Sequence, residues 1–275
     1  MPSRLEPLYD TRQGIMQVAA FMSGGGSNIK ELARNESEMK KNGGSPYNIA
    51  VIVTDNENGK KNASKISEEF RIPNSVIYSD FGEFRSTLEN PKDWSARGPY
   101  FEGIVQELEK ITPRISCLAF GGYEILVTDP LISAYKDMIL NVHPADLTIV
   151  NEETGERKYI GNHAVLDQVM GGMEEICASI HIVNEKMDGG PVLRVSAPVS
   201  VDLEGHALEE LIENPELANG IAEKNQNRLK EAGDWRIFTP TLAEVALGRI
   251  VKDANGKLFI KNEDGSVSAL PLRGE

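Results

Sequence analysis

A histidine flanked by an asparagine and a proline follows an apolar run near the middle of the chain. The stretch MILNVHP contains Asn141, His143 and Pro144. An asparagine amide donates hydrogen bonds and a histidine acts as a base or a cation, so together they suit the stabilisation of an oxyanion. A lone histidine after a strand is more often a capping or packing residue. The catalytic interpretation therefore needs a further partner.

A candidate partner is Asp188, which precedes two glycines and a proline in the stretch EKMDGGP. An aspartate at this place is also a common turn residue. If its loop faces His143, the carboxylate stabilises the charged imidazole and raises the pKa of the histidine. The order of the two motifs, Asn-x-His-Pro and then Asp-Gly-Gly-Pro, is more specific than either motif alone.

Three glycines at residues 24–26 follow the apolar run QVAAFM and precede Ser27 and Asn28, where a helical pattern begins. A glycine-rich loop between a strand and a helix presents backbone N–H groups to phosphate. The alternative is merely a tight turn, and in either case the serine or the asparagine could cap the helix. Neither nucleotide fingerprint fits, because Ile29 stands where G-x-G-x-x-G needs glycine and no Gly-Lys-Ser/Thr follows.

Short apolar runs alternate with helical patterns and must position these motifs. The runs QVAAFM, NIAVIVTD, ISCLAF and MILNVHP read as strands, with KKNASKISEEF and FEGIVQELEKI among the helices between them. This alternation predicts βαβ units on a parallel sheet. The later stretch ICASIHIVNEKMDGGPVLRVSAPVSV predicts an antiparallel hairpin added to that sheet. The predicted class is α/β, with a mixed, mostly parallel sheet flanked by helices.

The C-terminal part predicts helices with a break at Pro215, then a hairpin about Asn255-Gly256. We find no internal repeat and no low-complexity linker, which favours one domain over two. The predicted organisation is an N-terminal extension at 1–15, a catalytic domain at 16–202 and a helical and hairpin extension at 203–275, packed on the same domain.

Composition narrows the classes of partner. The formal net charge of −13 argues against a general nucleic-acid or anionic-membrane surface, which would need basic stripes. Cys117 and Cys177 are the only cysteines and do not form a C-x-x-C pattern, which argues against a disulfide framework or a zinc site. No apolar run approaches the ~18 residues of a membrane span. We therefore expect a cytoplasmic protein.

Taken in order, these motifs resemble the phosphoribosylglycinamide formyltransferases, which have a Rossmann-like, folate-dependent formyltransferase fold. The resemblance extends over residues 16–202 and is clearest in SGGGSN, FGGYEILVTDPLISAYKDMILNVHPADL and SIHIVNEKMDGGPVLRVSAPV. It implies that Asn141, His143 and Asp188 are the catalytic residues. Relative to the family, this chain carries an insertion at 149–159 and an extra helical segment at 203–230.

The resemblance also implies three groups of binding residues. Those for the substrate phosphate are Gly25, Gly26, Ser27 and Asn28. Those for the rest of the acceptor substrate are Arg97, His163 and Asp234. Those for the folate are Tyr123, Glu124, Ile125 and Leu126.

The implied reaction moves a formyl group from 10-formyltetrahydrofolate to the amine of glycinamide ribonucleotide, in de novo purine biosynthesis. The implied partners are small-molecule substrates, without metal, nucleic acid or membrane, and a homodimer remains possible. Two enzymes of the same fold are alternatives: a formyltetrahydrofolate hydrolase and an amino-sugar N-formyltransferase. A non-catalytic binding protein and a nucleotide-dependent oxidoreductase are less favoured, because the three matched catalytic residues are present and G-x-G-x-x-G is not.

Overall fold

The computed structural model describes residues 5–274. Its strands are β1 (Glu6–Pro7), β2 (Met16–Met22), β3 (Tyr47–Thr54), β4 (Ile77–Tyr78), β5 (Cys117–Phe120), β6 (Ile139–His143), β7 (Glu175–Ile176), β8 (Ser179–Ile182), β9 (Val192–Val195), β10 (Val199–Ser200), β11 (Ile250–Lys252), β12 (Leu258–Lys261), β13 (Val267–Ala269) and β14 (Leu272–Arg273). Its α-helices are α1 (Ser27–Lys41), α2 (Glu57–Phe70), α3 (Phe81–Ser86), α4 (Gly98–Glu109), α5 (Leu131–Ala134), α6 (Ala164–Met170), α7 (Leu208–Glu213), α8 (Pro215–Leu229) and α9 (Trp235–Ala246), and a π-helical turn (Lys230–Asp234) joins α8 to α9.

The main sheet has eight strands in the order β14-β9-β8-β6-β5-β2-β3-β4 within residues 5–274. The five consecutive strands β6, β5, β2, β3 and β4 run parallel to one another. Strand β8 runs antiparallel to β6, and β9 antiparallel to β8. The predicted α/β class, with a mostly parallel sheet and an added hairpin, is confirmed.

Helices cover both faces of this sheet, and the packing of β2 illustrates this arrangement. Its residues are almost entirely buried, as expected for a parallel strand covered on both sides. Val18, Ala20 and Met22 pack into the core cluster that contains α1, α8 and α9. Ala19 and Phe21 pack into the opposite cluster, with α4 and α5. Successive side chains thus enter opposite cores, and the strand is fixed in register by both.

The C-terminal part packs against the first of these cores. Ile237, Phe238 and Leu242 of α9 belong to the same cluster as Ile29 and Leu32 of α1. The predicted helix break occurs at Asn214, between α7 and α8, and the predicted hairpin is formed by β11 and β12.

Two pairings in this region were not predicted. The short β1 pairs with β11 in a second, four-stranded sheet, and β14 adds to the edge of the main sheet beside β9. The domain boundaries at 16–202 and 203–275 stay a prediction. Residues 1–4 and 275, which that division includes, lie outside the described residues.

Phe238 tests whether the C-terminal extension unfolds together with the sheet. Its ring is 2% exposed within the shared core. We expect Phe238→Ala to lower the free energy of unfolding by about 3–5 kcal/mol, with one cooperative transition in urea followed by circular dichroism. Ile212→Ala on α7, where the side chain is 61% exposed, is the control and should change stability by less than about 0.5 kcal/mol. Two separated transitions would contradict the single-domain prediction.

Candidate active site

The strand β6 places its polar residues at the carboxyl edge of the parallel sheet. His143 is its last residue, and Asn141 lies opposite His181 of the antiparallel strand β8. The Nδ2 atom of Asn141 is 3.0 Å from Nε2 of His181. Nδ1 of His181 lies 3.1 Å from the Ile182 carbonyl and so carries a proton. In the neutral ring Nε2 is then the acceptor, and Asn141 uses one amide hydrogen on it and keeps the other.

The Asp188 carboxylate lies between two imidazole rings. Its Oδ2 is 3.5 Å from Nδ1 of His143, and its Oδ1 is 3.4 Å from Nε2 of His181. Nε2 of His143 donates to the carbonyl of Tyr159 at 2.9 Å. The carboxylate can therefore stabilise the protonated form of His143. The predicted meeting of Asp188 with His143 is found in the structure.

Burial and charge act in opposite directions on this group. Burial lowers the pKa of His143 below its ordinary value, and the charge on Asp188 only partly opposes that effect. Burial alone would raise the pKa of Asp188, but the adjacent His181 ring, the charge of His143 and the N–H of Gly161 together lower it to about 2. Asp188 is therefore ionised at neutral pH, and His143 is poised to lose its proton readily.

The side chains of Asn141, His143 and Asp188 line a cavity of about 570 Å³. The predicted binding residues that also line it are Arg97, Tyr123, Glu124, Ile125, Leu126 and His163. Arg97 donates to the Leu126 carbonyl at 3.2 Å, and its guanidinium lies 5.2 Å from the Phe81 ring and 5.6 Å from the Trp94 ring. The structure thus brings the predicted catalytic and folate residues around one space, together with two of the predicted acceptor residues.

The glycine loop adjoins this cavity through Ser23. The N–H of Ser23 donates to the Gly122 carbonyl at 2.9 Å, and its hydroxyl accepts from the N–H of Glu124 at 3.0 Å. Gly25 is exposed, and a Cβ added there would meet nothing within 4 Å. Gly26 is different, since its φ is +70° and an added Cβ would strike the side chain of Met22.

Helix α1 begins beyond this loop, and within the described residues no side chain caps it. Gly26 occupies the N-cap position, so neither Ser27 nor Asn28 caps the helix. The first N–H groups of the helix remain available to an anion, and the helix dipole favours negative charge there.

Asp234 occupies a different place from the other predicted acceptor residues. Its carboxylate is buried and accepts from Nδ2 of Asn28, in the first turn of α1, at 3.0 Å. It is absent from the cavity wall that Arg97 and His163 share. Burial raises the pKa of Asp234 to about 6, although the hydrogen bond from Asn28 opposes the rise. Oδ1 of Asp234 and Oδ1 of Asn28 have no hydrogen-bond partner among the described atoms.

Several groups at the site were missed by the sequence analysis. His181 had a signal, because it alternates with apolar residues in SIHIV and so faces one side of a buried strand. Gly161 donates its N–H to Oδ2 of Asp188 at 2.7 Å, and Tyr159 offers its carbonyl to His143. Trp94 also lines the cavity. Main-chain groups have no sequence signal, since nearly any residue supplies them.

Within residues 5–274, no cluster of three or more histidine, cysteine, aspartate or glutamate side chains is arranged to hold a metal ion. Over the same residues, no helix has both the length and the apolar character needed to cross a bilayer.

The chain has a Rossmann-like α/β fold in which an amide, an imidazole and a carboxylate side chain line one cavity beside the end of β6, an arrangement suited to acid–base and oxyanion chemistry. A sequence profile of the family described as formyl transferase matches residues 16–219, which is more than half of the chain. The chain belongs to the formyl transferase family, and the resemblance found in its motifs is confirmed.

Individual relatives agree with this assignment. The chain is 25% identical over 195 residues to phosphoribosylglycinamide formyltransferase of Bacillus subtilis (strain 168), covering 71% of this chain and 84% of that protein. The crystal structure of phosphoribosylglycinamide formyltransferase from Anaplasma phagocytophilum matches with a TM-score of 0.64 at 18% identity, covering 95% of this chain and 100% of that chain. The crystal structure of a formyltetrahydrofolate deformylase from Pseudomonas syringae pv. tomato matches with a TM-score of 0.58 at 14% identity, covering 94% of this chain and 67% of that chain. The two structural matches show a shared fold.

The buried carboxylate of Asp234 predicts a pH-dependent stability. Its pKa rises from 3.8 in the unfolded chain to about 6 in the folded one, so its contribution is fully present below pH 3.8 and is lost as pH rises through 6. Asp234→Asn removes the charge and keeps an oxygen for Asn28. We expect the variant to gain stability relative to the parent by roughly 3 kcal/mol between pH 4 and pH 8, measured by urea unfolding.

Glu231→Gln on the same π-helical turn is the matched control, because Glu231 is exposed. It should follow the parent at every pH. Parallel pH profiles for Asp234→Asn and the parent would show that the carboxylate does not ionise at a cost in the folded protein.

Proposed function

We propose that this chain transfers a formyl group from 10-formyltetrahydrofolate to the primary amine of glycinamide ribonucleotide, a step of de novo purine biosynthesis. The observation that carries the proposal is the meeting of Asn141, His143 and Asp188 in a cavity that adjoins an open glycine loop. The B. subtilis relative named above bears the name of this activity.

The glycine loop supplies the site for the 5′-phosphate of the acceptor. Gly25 is exposed and unobstructed, and the uncapped N-terminus of α1 follows directly. Backbone N–H groups and the helix dipole together bind phosphate without a lysine or arginine in the loop. This agrees with a chain whose net charge is −13 and which therefore needs a local rather than a general anion site.

The cavity supplies the space for the folate. Its volume of about 570 Å³ lies within the usual range of small-molecule sites. The segment from Tyr123 to Leu126 forms one wall, with apolar side chains beside main-chain groups, a combination that suits an aromatic heterocycle with hydrogen-bonding edges. Residues that hold a bound folate here would place its formyl carbon near the Asn141 amide.

The chemistry follows from the side chains at that point. The uncharged amine of the acceptor attacks the formyl carbon, and the carbonyl oxygen becomes an oxyanion. Asn141 donates its free amide hydrogen to this oxygen, and the positive charge of protonated His143 stabilises it electrostatically. Asp188 stabilises the imidazolium and assists the proton transfer from the attacking amine to the folate nitrogen as the C–N bond to the folate breaks.

The remaining predicted acceptor residues divide by position. Arg97 and His163 line the cavity and are placed to contact the substrate directly. Asp234 is bonded to Asn28 instead, and we propose that it acts on the acceptor only through the orientation of that amide. We further propose a cytoplasmic enzyme acting on small molecules, with a homodimer left open.

Dependence on the acceptor distinguishes this function from the deformylase named above. We expect loss of the formyl group from 10-formyltetrahydrofolate, followed by folate absorbance, to require glycinamide ribonucleotide. Assays with water alone and with an amino sugar are the controls and should give background rates. Equal turnover in water alone would assign the chain to the hydrolases, and turnover with the amino sugar alone would assign it to the sugar N-formyltransferases.

A valine at Gly25 tests the phosphate loop without disturbing the core. The position is open and its backbone is not left-handed, so Gly25→Val should fold with a melting temperature close to that of the parent. We expect KM for the ribonucleotide to rise at least about tenfold while KM for the folate stays within twofold, because the side chain obstructs the approach of phosphate.

Gly26→Val provides the contrast in this experiment. Its Cβ would collide with Met22 in a left-handed conformation, so it should lose stability first. An unchanged ribonucleotide KM in Gly25→Val would remove the support for a phosphate site at this loop.

A further inference from the structure

The insertion at 149–159 folds as a small hairpin beside the catalytic group. Val150 and Arg157 form an antiparallel bridge, and the N–H of Asn151 donates to the Glu156 carbonyl at 2.7 Å. Gly155 closes the turn with a φ of +69°, which glycine adopts at little cost. The hairpin therefore has a defined conformation, and Arg157 stands at its base.

Arg157 reaches from this hairpin to the loop that carries Asp188. Its Nη1 donates to the main-chain carbonyl of Asp188, and its Nη2 donates to the carbonyl of Gly190 at 2.7 Å. The planar guanidinium thus spans two carbonyls of one loop with a single rigid group. A lysine has one compact ammonium on a flexible stem and cannot reproduce that fork.

The loop held by Arg157 is constrained and depends on external contacts. Asp188 has a φ of +46°, a left-handed conformation that is unfavourable for a non-glycine residue. Gly190 packs so closely on β8 that an added Cβ would overlap the carbonyl of Ile182. The carboxylate can face both histidines only while this main-chain path is kept.

We propose that Arg157 is a positioning residue of the formyl transfer reaction: it fixes the Asp188–Gly190 main chain so that the Asp188 carboxylate stays between His143 and His181. The proposal rests on the proposed function, since it concerns the same catalytic group.

Geometry and charge can be separated at this site. The groups that act on the pKa of His143 are Asp188, the Tyr159 carbonyl, His181 and Arg157, while Arg97, Glu124, His163, Asp167 and Lys186 line the same cavity. Removing the positive charge of Arg157 would favour the imidazolium, whereas loosening the carboxylate would disfavour it. Arg157→Lys keeps the charge and loses the two-carbonyl fork, so it isolates the geometric effect.

We expect Arg157→Lys to lower kcat by about 10- to 100-fold with both KM values within threefold of the parent, because a small misplacement of a catalytic group carries a cost of this size. NMR titration of the substrate-free protein should show His143 losing its proton at a lower pH than in the parent. Glu153→Ala, an exposed change on the same hairpin, is the control and should leave kcat and the titration unchanged.

The Asp188→Asn background tests the route of the effect. If Arg157 acts through the carboxylate, Arg157→Lys should cost less than about twofold in kcat when Asp188 is already replaced. Equal fold-losses in both backgrounds, or an unmoved His143 titration with kcat within twofold of the parent, would overturn the proposal. The titration needs no substrate, so it tests the role of Arg157 even if the ribonucleotide assay contradicts the proposed function.

Discussion

The antiparallel pairing of β8 with β6 is the constraint on which the site depends. It sets Asn141 opposite His181, and the chain then leaves β8 directly into the loop that carries Asp188. A parallel neighbour would have required a long crossover connection at this point, and its following loop would have emerged elsewhere. A shift of one residue in the pairing would turn His181 to the opposite face of the sheet and remove it from the cavity.

The pairing of β8 with β6 also brings polar groups to the buried charge of Asp188. Asp188 is largely buried, and a buried carboxylate is tolerated when charged or polar groups compensate it. His143, His181 and the N–H of Gly161 provide that compensation and hold the pKa of Asp188 at about 2. The carboxylate therefore keeps its negative charge beside His143 at neutral pH.

The features predicted correctly from the sequence are those encoded over short stretches. Apolar runs between turn residues identified the strands β2, β3, β5 and β6, because each buries both faces and needs a continuous apolar pattern. His143 and Asp188 were recognisable as candidate site residues from their neighbours. His143 ends an apolar strand pattern, and Asp188 precedes two glycines. The roles of these residues in catalysis remain predictions.

The features that escaped prediction depend on contacts between distant parts of the chain. Asn28 meets Asp234 across 206 positions, and the pairing of β1 with β11 joins the two ends of the described chain. Neither contact has a local pattern. The support that Tyr159 and Gly161 give to the catalytic group comes from main-chain atoms, which carry no residue-specific signal.

The π-helical turn between α8 and α9 ties the length of this part of the chain to the core packing. The turn is a wider winding inside an otherwise continuous helical segment. Loss of one residue here would leave the two helices joined and would rotate the faces of α9 by roughly 100° relative to those of α8. That rotation would turn Phe238 and Leu242 away from the core that they share with α1. Substitution, and not deletion, is therefore the change by which the group facing Asn28 could vary while α9 stays packed.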